Sequence, residues 1–166
     1  MKMGAIFRQG FPGMLLAASM VPGSASAEPS LAGTWTLVAA DVQHPDGTIG
    51  RDFGADPKGL LLIDMHGNYS LQIFKSERPR FMSNDKATGT PDEFRAAVLG
   101  SSTHYGTLTV DSARHKLAFH IVDASYPNWV GQTQMRSYQL KDGELSYRVP
   151  PRPNGDIPIS VWRRVD

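Results

Sequence analysis

The chain has 166 residues with no cysteine, and its 17 lysines and arginines nearly balance its 16 aspartates and glutamates. This length is typical of a single domain, and the lack of cysteine excludes a disulfide framework and a thiolate nucleophile. The near-neutral charge argues against a nucleic-acid-binding protein, which needs a basic face.

Residues 1–27 have the pattern of a secretory signal peptide. Lys2 and Arg8 precede a short apolar run at 14–21, and Ala25 and Ala27 supply the small residues of a cleavage site after Ala27. The sequence therefore predicts an exported protein, secreted or periplasmic, with a mature domain at 28–166. Loss of Lys2 and Arg8 takes the formal net charge from +1 to −1. The alternative is a disordered or membrane-anchoring N-terminus. No later run reaches the roughly 20 apolar residues of a membrane span, so stable membrane insertion is not expected.

Short segments with alternating apolar residues recur after residue 30, separated by Gly, Pro, Asp and Asn. Such a pattern is typical of an antiparallel β-barrel. Eight strands are predicted, with a possible ninth at 48–52: 33–42, 59–65, 69–74, 105–110, 116–123, 132–140, 144–149 and 157–164.

One short helix interrupts the strands. Thr90 is a good N-cap, Pro91 suits the first helical position, and Glu93 completes a capping box. Gly100 ends the run, so the sequence predicts a helix of about ten residues against the barrel or over its mouth.

The first and last strands carry a shared signature. Gly33 and Trp35 open the first strand, and Arg163 follows Trp162 in the last. A guanidinium can stack on an indole face, so we expect these strands to meet at the closed end of the core.

Several blocks of the chain resemble the lipocalin-like domain proteins of bacteria and fungi, beyond the general lipocalin signature of Gly33, Trp35 and the closing arginine. The resemblance implies an all-β fold, an eight-stranded antiparallel up-and-down barrel open at one end. It implies no particular reaction or substrate, and the chain lacks the disulfides of many lipocalins. The blocks are residues 31–35 (LAGTW), 56–61 (DPKGLL), 78–81 (RPRF), 89–98 (GTPDEFRAAV), 127–131 (PNWVG) and 161–164 (VWRR).

Polar residues within apolar strands are the first candidates for ligand contacts. They are Gln72, His120, Arg136 and Tyr138. An inward Arg136 would hold a carboxylate or phosphate, with His120 and Gln72 orienting it. The alternative places each of them on the outer face, where polar residues alternate on any barrel.

The segment 125–131 is an aromatic loop that contains Tyr126 and Trp129. It suits the rim of a pocket for an apolar ligand, or else a plug that closes one end of the barrel. Arg78 and Arg80, in another predicted mouth loop, would attract an anionic group or simply aid solubility.

Metal and cofactor sites are not indicated. The five histidines are scattered, without metal-binding spacing, and no nucleophile motif or phosphate loop is present.

The sequence thus favours an exported barrel that binds a small apolar or amphipathic molecule. One alternative is an isomerase, cyclase or lyase with His120 as general base and Arg136 or Tyr138 stabilising charge. Another is a barrel filled by Trp35, Leu62 and Phe119 that serves as a structural or interaction module.

Overall fold

The computed structural model describes residue 1 and residues 30–165, so the predicted signal peptide and its cleavage site lie outside the described residues. The described chain forms nine strands and one α-helix: β1 (Gly33–Gln43), β2 (Ile49–Gly50), β3 (Lys58–Ile63), β4 (Asn68–Phe74), α1 (Pro91–Leu99), β5 (Ser101–Asp111), β6 (Lys116–Ala124), β7 (Thr133–Lys141), β8 (Glu144–Arg148) and β9 (Ile157–Val165).

The strands form one antiparallel sheet that closes on itself. Each strand from β3 to β9 pairs with its neighbour in the chain, and β1 pairs with both β3 and β9. The two-residue β2 extends the sheet beside the end of β1. The predicted fold is confirmed as a closed eight-stranded antiparallel up-and-down barrel with one extra strand and one helix. Closure leaves the eight barrel strands without a free edge.

Alternation along the strands decides which side chains enter the barrel. Tyr69, Leu71 and Ile73 of β4 are buried, as their spacing predicts. On β3, however, Leu61 is buried and Leu62 is 41% exposed, so the placement of Leu62 in the core was wrong by one residue. The largest fully buried side chains fill the barrel with apolar and aromatic groups: Trp35, Leu61, Leu71, Leu117, Phe119, Leu145, Tyr147 and Trp162.

The two ends of the barrel differ in the length of their connections. At one end, the turns at 64–67, 112–115 and 142–143 are short. At the other, which we call the loop end, the connections at 44–57, 75–100, 125–132 and 149–156 are long. Long connections on a rigid barrel are where binding residues are commonly found. The loop end is therefore the natural entrance to the interior.

The short-turn end is closed by the start of β1 and the end of β9. The guanidinium over the Trp35 ring belongs to Arg164, not to the predicted Arg163. Arg163 is exposed and pairs instead with Glu144, at 2.7 Å. The physical reason is alternation, because Trp162 points into the core and its immediate neighbour must point outward.

The helix forms as its capping residues predict. The Thr90 side chain accepts a hydrogen bond from the Glu93 backbone, the Glu93 carboxylate accepts one from the Thr90 backbone N–H, and Gly100 is the C-cap. Helix α1 buries none of its side chains, and Phe94 lies edge-on to Phe81 at 5.5 Å. Among the described residues, no helix has the length and apolar character to cross a membrane.

Candidate functional site

Polar side chains from four strands meet inside the apolar barrel. We call them the interior cluster: Tyr69 of β4, His104 of β5, Gln134 and Arg136 of β7, and Tyr147 of β8. Tyr69, His104, Arg136 and Tyr147 are all buried. Buried polar groups are expected to be fully hydrogen-bonded, so their pairing shows what the cluster still lacks.

One chain of hydrogen bonds links the cluster. Tyr69 Oη lies 2.7 Å from His104 Nδ1, and His104 Nε2 lies 3.1 Å from Arg136 Nη2. Arg136 Nη2 also donates to Gln134 Oε1 at 2.8 Å. The Arg136 guanidinium is thereby tied on one nitrogen to strands β5 and β7.

The protonation of His104 follows from its surroundings. Burial, and then the nearby charge of Arg136, lower the pKa of His104 to about 3, so the ring is neutral near pH 7. Arginine only donates hydrogen bonds, so His104 Nε2 must accept from Arg136. The single ring proton is then on Nδ1 and is donated to Tyr69 Oη. The hydroxyl hydrogen of Tyr69 is consequently left for another acceptor.

The Arg136 side chain packs against two neighbouring aromatic rings. Its Cζ lies 4.0 Å from the centre of the Phe119 ring and 4.9 Å from that of Tyr147. Both contacts are cation–π interactions that offset part of the cost of burying the charge. Burial lowers the pKa of Arg136, and the neighbouring Tyr147 and Tyr69 oppose that shift.

The pairing of Arg136 is nevertheless incomplete. Its Nε is buried without a hydrogen-bond partner, and so is the hydroxyl of Tyr147. Within the described part of the chain, no carboxylate forms a salt bridge with Arg136. A third buried donor, Trp162 Nε1, also has no partner. The interior therefore offers unused hydrogen-bond donors around one uncompensated positive charge.

A bulge in β6 lies beside His104. The pairing shifts between Tyr105 and Gly106, because β6 carries one extra residue, Val122, between the partners Asp123 and Ile121. Alternation along β5 continues without a break, so His104 faces the interior together with Gly106. A Cβ on Gly106 would lie only 1.9 Å from the carbonyl oxygen of His120. Only glycine allows this close approach of the two backbones.

The aromatic loop covers the cluster from the loop end. Residues Pro127–Trp129 form a 3₁₀ turn, and the Trp129 ring meets the His104 ring edge-on at 6.0 Å. The Tyr126 ring packs edge-on against Trp129 at 5.5 Å, and Asn128 Nδ2 donates to Tyr126 Oη at 3.0 Å. Tyr126 is exposed while Trp129 is partly buried. Trp129 thus joins the aromatic loop to the interior cluster through its contact with His104.

The predicted site residues separate into two groups. Arg136 and Tyr138 face the interior, although the Tyr138 ring lies near His115 at 5.9 Å and makes no hydrogen bond with the cluster. Gln72 and His120 are exposed on the outer face, which is the alternative that the sequence left open for them. His120 Nδ1 lies 2.9 Å from Thr133 Oγ1 there. Each of these two residues directly follows a buried residue on its strand, so its side chain points to the opposite face of the sheet. The ligand-binding role of the inward residues stays a prediction.

Sequence reasoning missed His104, Tyr69, Tyr147 and Gln134 as site residues. The predicted strand began at Tyr105, whereas β5 begins at Ser101, so His104 fell outside the predicted alternation. His104 lies two residues before Gly106 and four before Leu108, and both of these are buried. This alternation was the signal in the sequence that could have placed His104 in the interior. Tyr69 and Tyr147 were hidden among apolar neighbours because a tyrosine at a core position is common in any barrel.

Two pockets open to the surface. One, of about 380 Å³, lies at strands β4, β5 and β6 and includes the buried His104 in its lining, with Ser70, Leu71, Gln72, Thr103, Tyr105, Asp123, Ala124 and Ser125. The other, of about 310 Å³, lies between residues 75–79 and helix α1. Arg78 stacks on the Phe74 ring at 4.9 Å, and Arg80 is exposed. Neither pocket contains Arg136. In the residues that the structure describes, no group of three or more potential metal ligands is assembled.

Comparison with known proteins identifies a family whose model this chain matches. The model of a family described as a lipocalin-like domain matches residues 32–165. The comparison with curated proteins found no significant match.

Three solved structures are similar to this chain at low identity. A lipocalin-like protein of Bacteroides uniformis is 17% identical, with a TM-score of 0.42, over 81% of this chain and 98% of that one. An uncharacterized protein of Bacteroides eggerthii is 15% identical, with a TM-score of 0.40, over 82% of this chain and 100% of that one. A mutant of the fluorescent protein UnaG is 14% identical, with a TM-score of 0.35, over 81% and 96%. These likenesses carry no information on ligand or activity.

Proposed function

The chain belongs to the lipocalin-like domain family, and we propose that its barrel binds one small apolar or amphipathic molecule, with the polar end at the interior cluster. A closed eight-stranded barrel is large enough either to be filled by side chains or to hold one small ligand. The chemistry of its interior must decide between the two.

The observation that carries the proposal is the incomplete pairing of Arg136. Arg136 is 5% exposed, its Nε has no partner, and no described carboxylate neutralises its charge. Burying a charge without a counter-ion costs several kcal/mol, and an apolar side chain of similar volume is often as stabilising or more so. A barrel with a purely structural role gains nothing from such a group. A bound molecule that accepts its hydrogen bonds recovers part of that cost.

The rest of the interior supplies apolar contacts for the body of the molecule. Phe119 and Tyr147 lie next to the guanidinium, and burial of apolar surface contributes about 25 cal/mol per Å². The loop end gives access when Trp129 moves away from His104. The mechanism is therefore sequestration, in which the barrel removes a molecule from water without changing it.

The enzyme alternative loses its general base, because His120 lies on the outer face. The filled barrel remains the second candidate. It is favoured by the tight interior, where Trp35, Phe119 and Trp162 are completely buried. Partial exposure of the aromatic loop at Tyr126 and Val130 would then serve an interaction with another molecule.

The proposal includes export to the periplasm or the medium. Its support is the signal-like sequence of residues 1–27. A carrier placed there would meet small molecules outside the cytoplasm.

The test is native mass spectrometry of the protein purified gently from producing cells that express the full chain. We expect a small molecule retained in the native ion and lost on denaturation, and a denatured mass that begins after Ala27. The variant Trp129→Ala should release the molecule faster than Val130→Ala, a matched control in the same loop. The filled barrel would be favoured by two results together: a native mass without any ligand, and no binding of amphipathic probes to the purified protein.

A further inference from the structure

The interior cluster also specifies the chemistry of the group that it binds. Building on the proposed function, we infer that the polar end of the bound molecule is a carboxylate, held by Arg136 with the hydroxyls of Tyr147 and Tyr69. The inference rests on which hydrogen-bond groups are already used and which are free.

The free groups of the cluster are able to donate. Arg136 Nε is a donor only, and the Tyr147 hydroxyl beside it is also unpartnered. Tyr69 Oη already accepts from His104 Nδ1, so its own hydrogen is available. Conversely, His104 Nε2 and Gln134 Oε1, the acceptors of the cluster, both receive hydrogen bonds from Arg136. The matching ligand group therefore presents acceptors, as a carboxylate does and an ammonium does not.

The charge of the cluster indicates a monoanion. Arg136 contributes one positive charge, and the neutral His104 contributes none. The pairing of a guanidinium with a carboxylate neutralises that charge through strong, charge-assisted hydrogen bonds. A phosphate monoester carries up to two negative charges and would bury one of them uncompensated. An alcohol accepts a hydrogen bond but leaves the guanidinium without a counter-ion.

The arrangement of Arg136 also leaves one approach open. Nη2 is fixed by its two hydrogen bonds, to His104 and Gln134, and the guanidinium also packs against the neighbouring rings of Phe119 and Tyr147. The unpartnered Nε is the remaining buried donor. The carboxylate is thus expected to accept from Nε with one oxygen, and from the tyrosine hydroxyls with its remaining lone pairs.

The experiment compares probes that share one alkyl chain and differ only in the head group. Binding of dodecanoate, dodecanol, dodecylamine and dodecyl phosphate to the purified protein is measured by isothermal titration calorimetry at pH 7.5 or so. We expect dodecanoate to bind at least about tenfold more tightly than dodecanol, which corresponds to about 1.4 kcal/mol. We expect the amine to bind more weakly than the alcohol.

Three variants test which residues cause the preference for the carboxylate over the alcohol. Arg136→Met should bring the acid-to-alcohol affinity ratio close to one while dodecanol binding is retained, and Tyr147→Phe should lower the ratio severalfold. The control Arg163→Met removes an exposed arginine and should leave the ratio unchanged. Circular dichroism and thermal unfolding establish that each variant is folded. Tyr147→Phe keeps the test valid should Arg136→Met fail to fold.

The outcomes separate the inference from the proposed function. Equal binding of acid and alcohol by the unmodified protein, or a preference for the acid that survives Arg136→Met, overturns the carboxylate and leaves the carrier intact. Tighter binding of dodecyl phosphate assigns the site to phosphate and also overturns the inference. No binding of any probe, at this or at shorter and longer chain lengths, overturns both.

Discussion

The guanidinium of Arg164 lies over the indole of Trp35, with Cζ 4.3 Å from the ring centre. It also donates to the carbonyl oxygens of Ala32, at 2.7 Å, and Ser30. Trp35 Nε1 in turn donates to Leu31 O at 3.0 Å. These contacts tie the segment before β1 to the end of β9 and close the short-turn end of the barrel.

Loss of this arginine should destabilise the barrel while loss of its neighbour should not. Arg164→Met removes a cation–π contact and two charge-assisted hydrogen bonds, so we expect the free energy of unfolding to fall by about 2 kcal/mol. Arg163→Met removes an exposed pair with Glu144, worth about 0.5 kcal/mol. Urea unfolding of the two variants measures the difference. Equal effects would contradict the closing role of Arg164.

The buried His104 should make stability depend on pH. Its pKa is lowered by burial from 6.5 in the unfolded chain to about 3 in the folded one. Between these values the unfolded state binds the extra proton, so the free energy of unfolding falls as pH drops below about 6.5. In this range His104 contributes a slope of about 1.4 kcal/mol per pH unit to the free energy of unfolding.

The variant His104→Gln tests this slope, because its amide oxygen is able to accept the hydrogen bond from Arg136. We expect denaturant unfolding between pH 6 and pH 5 to be less pH-dependent in the variant than in the unmodified protein. The same pH dependence in both would mean that His104 is protonated in the folded barrel. That outcome would also remove the basis for assigning its tautomer.

A second histidine should titrate in the opposite direction. His44 Nδ1 lies 2.9 Å from Asp156 Oδ1, which joins two loops at the loop end. This hydrogen bond raises the pKa of His44 and lowers that of Asp156. The stabilisation from His44 is therefore complete below about pH 6.5 and lost as pH rises through its folded pKa. The part from Asp156 is lost as pH falls through the carboxylate range.

NMR titration of the His44 ring measures this pair directly. We expect a pKa above 6.5 in the unmodified protein and a value nearer 6.5 in Asp156→Asn. His66, which is exposed in the turn between β3 and β4, serves as the reference in the same spectra. An unchanged His44 titration in Asp156→Asn would show that the two loops are not joined in solution.

The bulge at Gly106 should tolerate no side chain. Gly106→Ala places a Cβ 1.9 Å from the His120 carbonyl oxygen, so the β5–β6 pairing must open, at a cost of about 3 kcal/mol or more. Gly47→Ala is the control, because it has a positive φ of 85° but open space around it. We expect it to cost about 1 kcal/mol. Thermal unfolding compares them, and similar losses would mean that crowding at the bulge is relieved cheaply.

Local patterns predicted the elements well because each depends on nearby residues. The capping box at Thr90 and Glu93 needs only four residues, and the alternation of Tyr69, Leu71 and Ile73 needs only one strand. Predicted boundaries were less reliable. The strand thought to begin at Tyr105 begins at Ser101, because its early residues pair with β4 through a register that the sequence does not display.

The sequence by itself determined the barrel, because turn residues and apolar alternation set the strands and closure follows from a continuous meander of that length. Only the tertiary structure decided the site. Whether Gln72, His120 or Arg136 faces inward depends on a single step of strand parity, and a bulge such as that in β6 opposite Gly106 reverses it. His104, Arg136 and Tyr69 are far apart in the chain, and only the pairing of β4, β5, β6 and β7 brings them together. Burial then changes their chemistry, because a charge that is easily hydrated on the surface must find its partner inside the barrel.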